Sequence, residues 1–210
     1  MHALIIGNGN PPGKALFERE RNQADLVVAA DGGGNWCMKN GFKPDIVVGD
    51  LDSFNSSLYP TVPVLLDLDQ ETNDLEKALR YVVSRKFRSA TLVGVTGERL
   101  DHTLKNISVM AQFEHKFDHL SMKDEHGWMK ILPRDFSFEV ASGTIISLFP
   151  VSGVVEGICT SGLEFALNNE SLENGRRDGS SNRAISDTVT ISHRSGQLLL
   201  MVFDSVKEGV

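Results

Sequence analysis

Cysteine is scarce in this sequence, and long hydrophobic runs are absent. The chain has 210 residues but only two cysteines, Cys37 and Cys159, far apart and without a further cysteine or histidine at metal-ligand spacing. This spacing excludes a disulfide framework and does not support a zinc site. The apolar segment Leu4-Ile5-Ile6 is too short for a signal peptide or a membrane span, so we expect a cytoplasmic protein with no membrane partner.

Positive charge is also in short supply. Lys and Arg number 21 against 28 Asp and Glu, which gives a net charge of -7. Nonspecific nucleic-acid binding requires a concentrated basic surface, and no stretch of the chain provides one. The hydrophobic fraction of 40% and the charged fraction of 23% are those of an ordinary globular protein. We therefore expect no nucleic-acid partner, and a need for metal ions if the protein handles polyanions.

The first half of the chain carries short apolar runs that end at Gly or Asp. Continuous runs of this kind are typical of strands buried on both faces of a parallel sheet. The runs are Leu4-Ile5-Ile6, Leu26-Val27-Val28, Ile46-Val47-Val48, Val62 to Leu66 and Thr91-Leu92-Val93. Helical spacing predicts one helix over about Asn73 to Arg85, and a second from Asp101 with the apolar residues Leu104, Ile107 and Ala111. These patterns predict an α/β, Rossmann-like domain with a mostly parallel sheet.

After about His115 the pattern changes to short apolar stretches separated by Gly, Ser, Pro or Asn. Such a pattern, without a convincing helix, predicts an all-β antiparallel domain, either a sandwich or a partial barrel. We therefore predict an N-terminal domain over residues 1–117 and a C-terminal domain over residues 118–210. The polar segment Asn168 to Asp187 is predicted to be an exposed loop.

Polar residues directly follow four of the apolar runs. Ligands of open parallel sheets bind at the carboxyl ends of the strands, so these segments are expected to meet at one edge. They are Gly7-Asn8-Gly9, Asp31 to Gly34, Gly49 to Ser53, and Gly94 to His102. Gly32 and Gly33 either let backbone N–H groups approach phosphate or form a tight strand-to-helix turn. No Gly-x-x-x-x-Gly-Lys-Ser/Thr motif occurs, which excludes a P-loop enzyme.

Acidic side chains in and after these segments are candidates for a metal site. Asp50 and Asp52 project to the same side if the backbone is extended, and that geometry suits Mg²⁺. The alternative is a turn in which Asp50 and Ser53 only cap the next segment. Asn73 and Asp74 open the first predicted helix, where capping explains both residues without any further function.

The segment from Gly94 to His102 combines the residue types that phosphate chemistry uses. Arg99 can bind phosphate oxygens with two parallel hydrogen bonds, and Asp101 can add to a metal shell or accept a hydroxyl proton. The alternative is that Asp101 caps a helix, Arg99 pairs locally and His102 has a structural role. Several carboxylates, one arginine and backbone donors together are what phosphoryl-type transfer needs.

In identity, order and spacing, these residues resemble the thiamine pyrophosphokinase family. The resemblance rests on Asp31-Gly32-Gly33, Gly49 to Ser53, Asn73-Asp74 with Lys77-Ala78, and Gly94 to His102. The C-terminal half adds Ser161 to Leu167 and Gly179-Ser180-Ser181-Asn182. The resemblance implies transfer of diphosphate from ATP to thiamine, which gives thiamine diphosphate and AMP.

The resemblance also implies roles for individual residues. It implies that Asp50, Asp52 and Asp74 bind Mg²⁺ and, with Arg99 and Asp101, form the catalytic set. The wider binding set that it implies is Asp31, Gly32, Gly33, Ser53, Gln70, Asn73, His102, Ser181 and Asn182. Within that set, Gln70 is expected beside thiamine, whereas Ser181 and Asn182 are expected to act across a homodimer interface. Three positions depart from the family, which usually has Thr at Asn73, often Gly at Glu98 and commonly Glu at Arg183.

Two other hypotheses remain open on the sequence alone. A different magnesium-dependent phosphotransferase or a phosphohydrolase would use the same metal and nucleotide site. A module that senses nucleotide or thiamine would bind these ligands without turnover. Clustered carboxylates argue against pure sensing, because anion binding alone is better served by cations.

Overall fold

The structure is a computed structural model that describes residues 1–204. The chain divides into an N-terminal unit, Met1–Glu125, and a C-terminal unit that begins at His126. The domain boundary expected from the sequence falls earlier, after residue 117. The difference arises because the strand His119–Asp124 pairs in parallel with Ser89–Val93 and so extends the first sheet. Within residues 1–204, no helix has the length and apolar character needed to cross a membrane.

The N-terminal unit is a parallel sheet with helices in its connections. Its strands are β1 (His2–Ile6), β2 (Leu26–Ala30), β3 (Ile46–Gly49), β4 (Val64–Leu66), β5 (Ser89–Val93) and β6 (His119–Asp124). Its helices are α1 (Lys14–Arg21), α2 (Gly33–Lys39), α3 (Asp74–Ser84) and α4 (Leu100–Phe113), and a short 3-10 helix, Glu114–Lys116, follows α4. The strand order is β6-β5-β1-β2-β3-β4 with parallel pairing, so the order reverses between β5 and β1. Open α/β sheets bind ligands at such a reversal.

The apolar patterns explain most of this unit. β1, β2 and β5 are buried along nearly their whole length, which accounts for continuous rather than alternating apolar runs. The predicted cap of α3 is confirmed, because Asn73 Oδ1 accepts the Glu76 N–H at 3.0 Å. Of the expected apolar residues of α4, Ala111 is buried as predicted, whereas Leu104 is 58% exposed and the prediction is wrong there. The second half of α4 supplies its core residues, Val109, Met110, Ala111 and Phe113.

The C-terminal unit contains two antiparallel sheets over a shared core. Its strands are β7 (Gly127–Ile131), β8 (Asp135–Glu139), β9 (Ile145–Pro150), β10 (Val155–Ser161), β11 (Asn168–Leu172), β12 (Gly179–Arg183), β13 (Thr188–Ser192) and β14 (Leu198–Phe203). One sheet has the order β12-β9-β14-β7 and the other β11-β10-β13-β8. Ile146 and Leu200 of the first sheet share a buried cluster with Ile158 and Val189 of the second. This arrangement is a sandwich, one of the two forms expected.

The prediction of an exposed loop over Asn168 to Asp187 is wrong, because this segment contains β11 and β12. β11 pairs with β10, and β12 pairs with β9. Most side chains of both strands are polar and exposed, so no apolar alternation marks them in the sequence. Backbone pairing to a neighbouring buried strand is what determines their structure, in agreement with the strong context dependence of strand formation.

Candidate functional site

A cavity of about 450 Å³ lies at the carboxyl ends of the strands of the N-terminal unit. The segments after β1, β2, β3 and β5 all contribute to its lining, so the four strand ends meet at one edge as expected. The sequence-predicted site residues that line it are Asp31, Asp52, Ser53, Asn73, Asp74, Arg99 and His102. The parallel order of the sheet therefore brings together residues that are far apart in the sequence.

Three carboxylates, which we call the carboxylate trio, form a cluster beside this cavity, and two of them, Asp31 and Asp74, line it. Asp31, Asp50 and Asp74 each offer one oxygen, and these oxygens lie within 4.8 Å of one another. Asp31 follows β2, Asp50 follows the adjacent strand β3, and Asp74 is the first residue of α3. Carboxylate oxygens in this number are hard ligands of the kind that suit Mg²⁺.

Asp31 is the buried member of the carboxylate trio. Its Oδ2 accepts the Ser53 N–H and its Oδ1 accepts the Phe54 N–H, both at 3.1 Å. Burial raises the pKa of the Asp31 carboxyl, and the hydrogen bonds from Phe54 and Ser53 oppose that shift. Through these bonds Asp31 ties the loop after β3 to the end of β2.

Asp50 is held by its neighbours, whereas Asp52 lies outside the trio. Asp50 accepts the Asp52 N–H at Oδ1 and the Gln70 side-chain N–H at Oδ2, both at 3.3 Å. The hydrogen bond from Asp52 is the main cause of the lowered pKa of Asp50. Leu51 has a φ of 62°, so the backbone between the two acids is not extended. Asp52 instead accepts the Ser53 hydroxyl at 2.9 Å. Metal binding by Asp52 stays a prediction.

Lys77 is a buried cation next to the carboxylate trio. Its side chain is 2% exposed, and its Nζ lies 3.2 Å from Asp74 Oδ1. Its charge also contributes to the lowered pKa of Asp50. A buried ammonium group requires a partner, so Lys77 and Asp74 stabilise each other. In the sequence, Lys77 belongs to the motif Asn73-Asp74 with Lys77-Ala78, but nothing marks it as buried. Asp and Lys three positions apart also occur on solvated helix surfaces.

Arg99 and Asp101 form a bidentate ion pair where α4 begins. Arg99 Nε donates to Asp101 Oδ1 at 3.1 Å, and a terminal guanidinium nitrogen donates to Oδ2 at 2.5 Å. The pair raises the pKa of Arg99 and lowers the pKa of Asp101. Asp101 thus belongs with Arg99 and not with the carboxylate trio.

Gly32 and Gly33 lie where α2 meets β1, and neither lines the cavity. A Cβ on Gly33 would lie 2.4 Å from the Ile6 carbonyl oxygen, and one on Gly32 would lie 2.4 Å from the Asn8 side chain. Because β2 ends at Ala30 and α2 begins at Gly33, the tight strand-to-helix turn, one of the two interpretations of this glycine run, is present. Phosphate binding by these glycines stays a prediction.

Ser181 and Asn182 belong to β12 of the C-terminal unit. Asn182 is 7% exposed, its Nδ2 donates to the Phe165 carbonyl oxygen at 2.8 Å, and its Oδ1 accepts the Phe165 N–H at 3.0 Å. The same Oδ1 accepts the Arg183 N–H at 2.8 Å. Ser181 has a φ of 59° and donates its N–H to Ser147 Oγ at 3.0 Å. The Asn182 amide thus holds the backbone of Phe165, whose side chain is 67% exposed.

Two models of protein domains match the chain, one in each half. Residues 17–122 match the model described as "Thiamin pyrophosphokinase, catalytic domain", and residues 132–198 match "Thiamin pyrophosphokinase, vitamin B1 binding domain". The chain belongs to the thiamin pyrophosphokinase family. The resemblance inferred from the sequence is thereby confirmed, and the comparisons do not favour the two alternative functions.

Individual members of the thiamin pyrophosphokinase family resemble the chain over most of its length. Thiamine pyrophosphokinase 2 of Arabidopsis thaliana is 24% identical over 234 residues, which cover 94% of this chain and 84% of that protein. Thiamine pyrophosphokinase of Bacillus subtilis (strain 168) is 23% identical over 184 residues, which cover 84% of this chain and 86% of that protein. The crystal structure of thiamin pyrophosphokinase from Geobacillus thermodenitrificans has a TM-score of 0.83 at 24% identity and covers 99% of both chains. This last likeness establishes a shared fold.

Departures from the thiamin pyrophosphokinase pattern have a structural context. Glu98 has a φ of 50°, a backbone conformation that Gly adopts without strain. Arg183 Nε lies 3.8 Å from Glu164 Oε2, so the charge of Arg183 has a local counterion. Asn106 also lines the cavity, although the sequence does not identify it as a site residue. The only sign of Asn106 in the sequence is its polar character between Leu104 and Ile107, on the expected apolar side of α4.

Proposed function

We propose that this protein is a magnesium-dependent enzyme that transfers diphosphate from ATP to thiamine and releases AMP. The observation that carries the proposal is the carboxylate trio beside the cavity, in a chain whose two halves match the two thiamin pyrophosphokinase domain models. In this proposal the N-terminal unit is a Rossmann-like nucleotide-binding domain. Its strand order reverses between β5 and β1, and the segments after both strands line the cavity.

The carboxylate trio is the proposed site for Mg²⁺. Asp31, Asp50 and Asp74 offer hard oxygen ligands from one side, which leaves positions for water and phosphate oxygens. Asp52, which lines the same cavity, is proposed as an additional contact to the ion or to its bound water. The bound ion would offset the negative charge of the diphosphate during transfer. Lys77 adds a fixed positive charge beside Asp74.

The proposed reaction joins the hydroxyethyl oxygen of thiamine to the β-phosphorus of ATP. The bond from that phosphorus to the oxygen bridging the α-phosphate breaks, AMP leaves with that oxygen, and the hydroxyl proton passes to a base. Asp101 engages Arg99 through Nε and one terminal nitrogen, so the N–H groups of the other terminal nitrogen are proposed to bind phosphate oxygens. The proposed nucleotide-binding set is Asp31, Gly32, Gly33, Ser53, Asn73 and His102.

Thiamine is proposed to bind between Gln70 of one chain and the C-terminal unit of a second chain in a homodimer. Gln70 donates a hydrogen bond to Asp50, which connects the acceptor side to the carboxylate trio. On the partner side we propose Ser181, Asn182 and the exposed ring of Phe165, because an aromatic face suits a flat, cationic acceptor. We propose the cytoplasm as its location, in line with its scarce cysteines.

The assay that tests this function separates its products. Purified protein is incubated with Mg-ATP, with and without thiamine, and AMP, ADP and thiamine diphosphate are quantified. We expect equal amounts of AMP and thiamine diphosphate, only when thiamine is present. ADP or free phosphate formed without a thiamine requirement would instead select the other phosphotransferase or phosphohydrolase hypothesis. Ligand binding with no turnover would select the sensing hypothesis.

A further inference from the structure

Two asparagine side chains connect α3, α4 and the loop after β5. Asn73 Nδ2 donates to Asn106 Oδ1 at 2.8 Å, and Asn106 Nδ2 donates to the Val95 carbonyl oxygen at 2.8 Å. All three residues line the cavity. We call this chain of hydrogen bonds the asparagine bridge.

The asparagine bridge joins the two groups of charged residues in the candidate site. Asn73 directly precedes Asp74 of the carboxylate trio, and the loop that contains Val95 leads to Arg99 and its partner Asp101. Val95 is 3% exposed, so its carbonyl oxygen requires a hydrogen-bond partner inside the protein. The Asn106 amide provides that partner, and it does so from the helix that begins next to Arg99.

The Asn73 side chain makes two hydrogen bonds within the protein. Its Oδ1 accepts the Glu76 N–H at 3.0 Å and so caps α3, while its Nδ2 is the donor to Asn106. The family usually has Thr at this position, and a Thr hydroxyl lies one bond closer to the backbone than an Asn amide nitrogen does. The longer side chain is therefore suited to reach α4 while the cap is kept.

We propose that the asparagine bridge is a positioning device that sets the distance between the carboxylate trio and Arg99. This inference rests on the proposed function, in which both groups act on the same diphosphate. Asn106 touches no reacting atom in this scheme. It acts through the Val95 loop and through Asn73, so a defect in the bridge misplaces groups that remain chemically intact. Misplacement by about 1 Å can lower turnover roughly a hundredfold.

A second contact between the same two helices supplies a matched control. Gln112 Nε2 donates to Glu76 Oε1 at 3.2 Å, and Glu76 keeps a bond from Arg80 at 2.8 Å. Gln112 does not line the cavity. Gln112→Ala therefore removes a hydrogen bond that a side-chain amide makes between α3 and α4, and it leaves the residues of the candidate site unchanged.

The kinetic test compares Asn73→Ser, Asn106→Ala, the double variant and Gln112→Ala. Ser retains the cap of α3 but cannot reach Asn106, so Asn73→Ser should keep the melting temperature close to that of the parent protein. We expect kcat for AMP formation to fall at least about tenfold in both single variants, with KM for thiamine unchanged. The double variant should lose no more than the worse single variant, because both break one bridge. Unchanged kcat in both single variants, or an equal loss in Gln112→Ala, would overturn the proposal.

An activity-independent measurement separates this inference from the proposed function. Hydrogen exchange of the backbone amides over residues 94–99 is recorded for the same variants without substrate. We expect faster exchange in Asn73→Ser and in Asn106→Ala, and parent-like exchange in Gln112→Ala. If the parent protein forms no thiamine diphosphate, the proposed function fails, yet this measurement still decides whether the bridge positions the loop. Parent-like exchange in both bridge variants would contradict the positioning role of the asparagine bridge.

Discussion

Three of the six non-glycine residues with a left-handed backbone in residues 1–204 belong to the segments of the candidate site. Asp31, Leu51 and Glu98 have φ values of 41°, 62° and 50°, and they follow β2, β3 and β5 respectively. A non-glycine residue in this conformation costs about 1–2 kcal/mol, and such strain is frequent at functional sites. For Asp31, the bonds from Ser53 and Phe54 offset part of that cost.

Glu98 offers a direct test of this strain. Glu98→Gly should raise the free energy of unfolding by up to about 1 kcal/mol, because Gly adopts a positive φ without a steric penalty. The measurement is chemical denaturation, and the turnover of the variant should be retained. Glu98→Ala is the control, since it removes the carboxylate but keeps the strained backbone, and it should give no gain. Equal stability of the two variants would show that the φ at this position is not what limits stability.

The carboxylate trio predicts an order of importance among the acidic residues. Asp50→Asn and Asp74→Asn should each lower turnover at least about a hundredfold and raise the Mg²⁺ concentration needed for half-maximal activity. Asp52→Asn should lose less, because Asp52 lies outside the trio. Asp118→Asn, in an exposed ion pair with Arg88, is the control and should be unaffected. A loss in Asp52→Asn as large as in Asp50→Asn would restore the ligand set inferred from the sequence.

At the scale of elements, the buried strands were predictable and the polar ones were not. Continuous apolar runs identify β1, β2, β3 and β5, because these strands are covered on both faces. β11 and β12 have no such signal, since their partners β10 and β9 supply the pairing. The pattern could not reveal that Asp31 joins Asp50, because this depends on the pairing of β2 with β3 and on the φ of Leu51.

Within the C-terminal unit, Asn182 is predicted to stabilise the connection between β12 and the segment around Phe165. Asn182→Ala leaves the Phe165 N–H and carbonyl oxygen without their side-chain partner, which should lower the free energy of unfolding by about 1–3 kcal/mol. Thermal denaturation without ligands measures this effect apart from any role in thiamine binding. Ser181→Ala, at the exposed neighbouring position, should change stability little. A parent-like melting temperature for Asn182→Ala would contradict this structural role.

At the scale of the whole molecule, the acidic composition and the candidate site agree. A net charge of -7 leaves a polyanionic substrate without general attraction to the surface, so binding must depend on local cations. Arg99 provides one such charge at the cavity, Lys77 provides another beside Asp74, and the carboxylate trio provides a site for a divalent ion. The class of reaction, a phosphoryl-type transfer, was therefore predictable from the composition and from the residues at the strand ends. The identity of the acceptor came only from the family resemblance.

The proposed sharing of each site between two chains predicts complementation between inactive variants. Asp50→Asn damages the carboxylate trio, and Ser181→Trp fills the space proposed for the acceptor in the C-terminal unit. Each variant alone should be folded and inactive. After subunit exchange, half of the dimers are mixed and one of their two sites combines both intact units, so about a quarter of the parent activity should return. If each site were built within one chain, every site in the mixture would carry one of the two defects. No activity would then return, although sedimentation would still detect dimers.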